Sequence, residues 1–240
     1  MKQNILILGF LVSQMMISCC VYHPQTSDIP LIKNKNDLRL DAGISVIPTV
    51  HATISYGLTK MIAIQAFGSI GSDKRQYFQI APGLYKDFGN RRVMEFYGGF
   101  GSGYGDAYKD ANPGNMFGKY QLYFIQYNLG KYGIKSGHMD FGVGIKSGYF
   151  HSNLTDQNYY SFYSENGPFN KYMENSILIE PMVFFRLGGE KVKFSFKAGV
   201  NWIMKISNHD NYIPTMFLNV GLGINFSPKI KIADNRNRDS

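Results

Sequence analysis

Residues 192–202, VKFSFKAGVNW, show the pattern that decides the fold of this 240-residue chain. One set of alternate positions holds Val192, Phe194, Phe196, Ala198, Val200 and Trp202, and the other holds Lys193, Ser195, Lys197, Gly199 and Asn201. Because successive side chains of a β-strand point to opposite faces, this period of two predicts a strand with one apolar face and one polar face.

The same alternation recurs along most of the chain from Asp37 onward. It predicts about ten strands, over residues 37–47, 49–58, 61–70, 77–88, 92–104, 118–130, 137–150, 176–188, 191–203 and 212–227. No stretch has the apolar spacing of a convincing amphipathic helix. The sequence therefore predicts an all-β protein.

The predicted strands have the length that a bilayer requires, since a tilted strand crosses the hydrocarbon in roughly 9–11 residues. Connections after even-numbered strands are mostly short. Those after odd-numbered strands are mostly long: Gly71–Gln76, Gly105–Phe117, His151–Asn175 and Lys205–Asn211. Short turns at one end and long loops at the other are typical of outer-membrane barrels. From Asp37 to Ser227 the chain resembles the small outer-membrane β-barrel proteins of Gram-negative bacteria. The resemblance implies an antiparallel up-and-down transmembrane barrel in the outer membrane.

The N-terminus has the features of a secretory signal. Lys2 precedes a short apolar run over residues 5–12, and the small residue Ser18 precedes Cys19. The sequence Met16-Ile17-Ser18-Cys19 resembles the lipobox of bacterial lipoproteins, and the whole chain then resembles the barrel-bearing lipoproteins of Bacteroidota-type envelopes. The resemblance implies removal of residues 1–18 and acylation of Cys19, for example by palmitate. An ordinary signal peptide with two incidental cysteines is the alternative.

The remaining segments follow from these boundaries. Residues 19–36 are predicted to be a lipidated N-terminus and tether, residues 37–227 the barrel, and residues 228–240 a basic polar tail.

The formal net charge is +8, but the basic residues are spread over turns, lumen and tail, so a nucleic-acid partner is not expected. Two adjacent cysteines exclude a disulfide framework and a cysteine-based zinc site. We expect no cofactor, and outer-membrane lipids as partners.

If the apolar stripes face lipid, the alternate stripes face the lumen. Their ionisable members are Arg39, Asp41, Glu95, Asp140, Lys146, Glu180, Arg186, Lys193 and Lys197. Acids and bases are nearly balanced, which favours mutual pairing, because an unpaired buried charge is costly. We therefore expect a polar network that fills a narrow barrel, with an open channel as the alternative.

The connection His151–Asn175 is rich in aromatic residues, which serve well as contact anchors. The candidate recognition residues are Tyr159, Tyr160, Phe162 and Tyr163. They predict a surface for other envelope proteins or glycans, or else a segment that folds back over the barrel. The expected role is non-enzymatic, either structural or in surface interaction.

Two other functions are consistent with the sequence. A hydrolase at the barrel rim would use the pairs His151-Ser152 and His209-Asp210, with Asp106 and Asp110 on a neighbouring loop. A soluble, lipid-tethered barrel would instead turn its apolar faces inward and bind an apolar ligand, since a period of two does not distinguish inside from outside. None of the five histidines has metal-ligand spacing to another.

Overall fold

The computed structural model describes Tyr22 and residues 29–45, 49–72, 74–107, 116–156, 170–206 and 216–228. Its strands are β1 (Leu38–Ser45), β2 (Thr49–Gly57), β3 (Ile62–Gly71), β4 (Gln76–Asp87), β5 (Arg92–Ala107), β6 (Met116–Ile134), β7 (Met139–Asp156), β8 (Asn170–Gly188), β9 (Val192–Lys205) and β10 (Met216–Phe226). Each strand pairs antiparallel with its neighbours in the chain, and β1 pairs with β10 to close the barrel. The predicted all-β, up-and-down barrel of ten strands is confirmed. In the described residues, no helix is long and apolar enough to cross a membrane.

The two faces of the barrel wall differ sharply in polarity. On the outside, the side chains of Ile70 and Phe194 are 71% and 73% exposed. On the inside, Glu95, Lys146 and Arg186 are completely buried. Exposing so much apolar surface to water is unfavourable, so the outer face must contact lipid. The alternative of a soluble barrel with an apolar interior is therefore wrong.

Four strands extend well beyond the others at the end that carries the long loops. β7 continues to Asp156 and β8 begins at Asn170, so the predicted loop His151–Asn175 is shortened to 157–169. Within this extension, His151 lies opposite Asn175 in the β7–β8 ladder, and His151 Nδ1 is 2.7 Å from Asn175 Oδ1. The adjoining strands β5 and β6 also extend, which leaves residues 108–115 as their connection.

Pro82 and Pro181 lie inside predicted strands, where the missing N–H predicts either a bulge or a local opening of the barrel. The register does not shift at either proline, but the ladder on one edge is interrupted there. Pro82 lies between Ile80, which is paired with Phe100, and Gly83, which is paired with Tyr97, so the register is the same on both sides. Pro181 likewise interrupts the β8–β9 ladder without shifting it. Both strands keep their pairing on the opposite edge, and this tolerates the missing proline N–H.

The segment before β1 lies inside the barrel. Asp37 Oδ2 accepts hydrogen bonds from the backbone N–H groups of Lys33 and Asn34, at 3.0 and 3.1 Å, and this turn directs the preceding chain back into the lumen. The apolar side chains of the segment are almost fully buried: Tyr22, Ile29, Leu31 and Ile32. We call Tyr22 and residues 29–34 the plug. Residues 19–36 were predicted to be a lipidated N-terminus and tether; the described part of this segment instead packs inside the barrel, with its apolar residues shielded from water.

Glycines in the wall make room for the plug. A Cβ atom on Gly130 would lie 2.6 Å from Cδ2 of Leu31, and one on Gly144 would lie 2.9 Å from Cδ1 of Ile29. Both distances are shorter than van der Waals contact allows. The absence of side chains at these two wall positions therefore leaves the space that Leu31 and Ile29 occupy.

Candidate functional site

The lumen is the most elaborate polar region of the described chain. At the end with the short turns, Lys193 Nζ lies 2.5 Å from Asp140 Oδ1, which also accepts a hydrogen bond from the backbone N–H of Gly133 at 2.8 Å. Arg186 donates to the backbone carbonyl of Ile29, and its guanidinium lies 4.1 Å from the centre of the Phe184 ring. Strand side chains thus bind both each other and the plug.

Lys33 lies at the same end, where the plug joins β1. Its Nζ is 4.5 Å from the centre of the Tyr132 ring. Burial lowers the pKa of Lys33, and the charge of Arg39 lowers it further, whereas the charges of Asp37 and Asp140 raise it. Desolvation outweighs the acids, so the ammonium form is less favourable here than in water.

Glu95 on β5 binds the backbone of the plug. Its Oε1 accepts a hydrogen bond from the backbone N–H of Ile32 at 2.8 Å, and its Oε2 accepts one from Asn128 Nδ2 at 3.0 Å. Gln126 donates to Asn128 at 3.0 Å and fixes the orientation of that amide. A buried carboxylate with donors on both oxygens is satisfied without water.

Deeper in the lumen, Glu180 joins the plug to a buried lysine. The Tyr22 hydroxyl donates to Glu180 Oε1 at 2.7 Å, and Lys146 Nζ lies 3.6 Å from Glu180 Oε2. Lys146 also donates to Gln79 Oε1 at 3.2 Å. These contacts connect β4, β7 and β8 to a residue that lies 158 positions from Glu180 in the sequence.

A third ion pair lies across the closure of the barrel. Lys197 on β9 pairs with Asp41 on β1, and His51 Nε2 is 4.0 Å from Asp41 Oδ1. The structure thus buries all eight residues of the predicted lumenal network: Arg39, Asp41, Glu95, Asp140, Glu180, Arg186, Lys193 and Lys197. Lys193 pairs with Asp140, Lys197 with Asp41, and Glu180 with Lys146. Glu95 and Arg186 bind the backbone of the plug.

Aromatic rings fill the lumen toward the long loops. The ring of Tyr22 lies 5.3 Å from that of Tyr120 and 5.0 Å from that of Phe150, in edge-to-face contact. Tyr77 stacks on Tyr120 at 5.8 Å. The participation of Tyr22 was not predicted, because an isolated tyrosine in a stretch without periodicity gives no signal of burial.

The proposed rim hydrolase gains no support from the described residues. His151 and Ser152 are neighbours on β7, where alternate side chains point to opposite faces; Ser152 is buried inside, whereas His151 contacts Asn175 on the outside. These two residues therefore do not form a nucleophile–base pair. Asp106, expected on a loop, lies within β5 opposite Phe117. His209, Asp210 and Asp110 of the same hypothesis lie outside the described residues, as do Tyr159, Tyr160, Phe162 and Tyr163.

Metal binding is also unsupported where side chains are described. In that part of the chain, no three His, Cys, Asp or Glu residues are grouped so that they could hold a metal ion. The buried acids are instead used by lysine, tyrosine and backbone donors.

Comparisons with known proteins identify the architecture. The fold is similar to the crystal structure of the outer membrane protease OmpT from Escherichia coli, with a TM-score of 0.56 and 8% sequence identity over 85% of this chain and 100% of that one. The chain has an outer-membrane β-barrel fold. At this identity the likeness concerns the fold alone.

The N-terminal β-barrel domain of Pseudomonas aeruginosa OprF also aligns, over 80% of this chain and 98% of that one, with 14% identity and a TM-score of 0.32. No protein-family model matches the sequence, and a search of curated protein sequences finds no match.

The Lys146–Glu180 pair provides a test of the lumenal network. Removing one partner leaves an uncompensated buried charge, so Glu180→Gln and Lys146→Met should each lower the free energy of unfolding by about 3–5 kcal/mol. The double variant should lose much less than the sum, because neither charge then remains. Equilibrium unfolding of the refolded barrel in micelles measures all three values. Additive losses would show that the two side chains are not coupled.

Proposed function

We propose that this protein is a non-conducting outer-membrane barrel, anchored by an acylated Cys19, with a structural or surface-interaction role. The observation that supports this function is the filled lumen. Ion pairs near the short turns, the Glu95 contacts with the plug, and the aromatic layer around Tyr22 occupy successive levels of the interior. The alternative of an open channel would require continuous water-filled space through these levels.

The outer end of the barrel supports the interaction role. β5, β6, β7 and β8 are 16, 19, 18 and 19 residues long, whereas β1 has 8. These strands are longer than a bilayer crossing requires. We therefore propose that β7 and β8 extend beyond the membrane before the chain enters and after it leaves the segment 157–169. Tyr159, Tyr160, Phe162 and Tyr163 belong to that segment, and we propose them as the contact residues for an envelope protein or glycan.

Planar-bilayer recording tests the closed state. The full-length protein should insert without stepwise ion conductance, because side chains and plug fill the lumen. Deleting residues 22–34 removes the plug and its contacts with Glu95, Glu180 and Arg186, and should produce conductance steps. Large, stable steps from the undeleted protein would contradict a closed barrel. A silent deletion variant would show that strand side chains suffice to close it.

Metabolic labelling with an alkyne fatty acid tests the anchor. Cys19→Ala should abolish incorporation of the label, because the acylated residue is lost, whereas Cys20→Ala should retain it. The two substitutions are chemically identical and adjacent, so each controls for the other. Equal labelling of both variants, or no labelling of the wild-type protein, would contradict acylation at Cys19.

A further inference from the structure

Two cations face each other on the lipid side of the barrel, at the end with the short turns. Arg92 near the start of β5 lies directly opposite Lys131 near the end of β6 in the antiparallel register. Both side chains are exposed on the outer face. Like charges at directly opposed positions destabilise a sheet. An anion placed between the two side chains would relieve this repulsion.

The described residues do not supply that anion. Neither Arg92 nor Lys131 forms an ion pair with any described acid. Glu95, the acid nearest to Arg92 in sequence, is buried in the lumen. Asp87, the next nearest, accepts hydrogen bonds from the Tyr132 hydroxyl at 2.7 Å and from the backbone N–H of Gly89 at 2.8 Å. A third cation, Lys86, lies at the same edge, with its Nζ 5.0 Å from the centre of the Phe88 ring.

An apolar groove begins at this pair of cations. It has a volume of about 530 Å³. Its lining includes Arg92, Lys131, Phe88, Leu129, Phe141 and Val143. The four apolar side chains are 41–54% exposed, and successive outward residues of β6 and β7 lead from Lys131 and Phe141 toward the middle of the wall. We call this surface the rim groove.

We propose that the rim groove binds one anionic phospholipid of the leaflet at the short-turn end. Its phosphate would lie between Arg92 and Lys131, and one acyl chain would lie along Leu129, Phe141 and Val143. Opposed residues of paired strands have Cβ atoms about 4.5–5.5 Å apart, so one phosphate group is able to contact both cations. The combination of a cation pair at headgroup height with an apolar surface facing hydrocarbon matches a lipid, and a free phosphate would leave the groove empty.

The test measures lipid retention by the full-length protein. The protein is reconstituted in nanodiscs of phosphatidylcholine with a minor fraction of phosphatidylglycerol, then released in mild detergent for native mass spectrometry. Each basic side chain near a membrane surface increases anionic-lipid affinity about fivefold, so the double variant Arg92→Gln/Lys131→Gln should retain phosphatidylglycerol about thirtyfold less well.

The matched control is Lys60→Gln/Lys191→Gln. It removes the same charge from exposed turns at the same end of the barrel, away from the rim groove, and should retain the lipid like the wild-type protein. Equal loss in both double variants would overturn a specific site, since only the overall surface charge would matter. Heat-dependent electrophoretic mobility confirms that each variant is folded.

Two further arms separate a lipid from other sources of phosphate. Phe141→Ala keeps both cations but removes a wall of the groove, and should lower retention; unchanged retention would overturn the acyl-chain contact. Inorganic phosphate added at the release step should not displace the lipid. Displacement of phosphatidylglycerol by inorganic phosphate would show that the pair recognises phosphate alone. Both results are independent of whether the barrel conducts ions.

Discussion

The pairing of β1 with β10 is the constraint on which the rest of the structure depends. Hydrocarbon offers no hydrogen-bond partner, so every backbone N–H and C=O group at membrane depth must be paired within the sheet. Six successive residue pairs, from Leu40–Phe226 to Ser45–Gly221, close the two edges. Closure requires neighbouring strands to remain in register, and register in turn fixes which side chains face lipid and which face the lumen.

Closure also determines the chemistry of the interior. A narrow barrel that places charges inward must pair them or satisfy them with donors, because the energetic penalty for an isolated buried charge exceeds the gain from most single interactions. Here Lys146–Glu180 links the consecutive strands β7 and β8, whereas Lys193–Asp140 and Lys197–Asp41 join strands that are not consecutive in the sequence. The plug completes the arrangement, since its backbone and Tyr22 supply donors to Glu95 and Glu180.

Local sequence predicted the parts of this fold that depend on local physics. Alternation identified the strands and their inward residues, and the short turns identified one end of the barrel. The predicted ends of β7 and β8 at the long-loop side, residues 150 and 176, fall short of the observed ends, because period two does not show where a strand leaves the bilayer. Pairs such as His151–Asn175 extend the ladder beyond the predicted ends. At Pro82 and Pro181, where a bulge or a local opening was predicted, the described ladders show no bulge but lack pairs along one edge, and pairing along the other edge is kept.

The burial of the plug could not be predicted from local sequence. Residues 29–34 have no periodicity, and their burial depends on partners such as Glu95 and Arg186, which belong to strands far along the chain. Gly130 and Gly144 make the space that receives Leu31 and Ile29. Only the assembled barrel brings these features together. The same holds for the opposition of Arg92 and Lys131, which depends on the β5–β6 register.

The most direct test that the apolar outer face contacts lipid uses Trp202, the single tryptophan of the chain. Its side chain is 58% exposed on the outer face of β9. The protein is reconstituted in vesicles of brominated phospholipid, and tryptophan fluorescence is compared with that in unbrominated vesicles and in aqueous iodide. The structure predicts strong quenching by the lipid-borne bromine atoms and weak quenching by iodide. Strong quenching by iodide together with unchanged fluorescence in brominated lipid would contradict a lipid-facing outer wall.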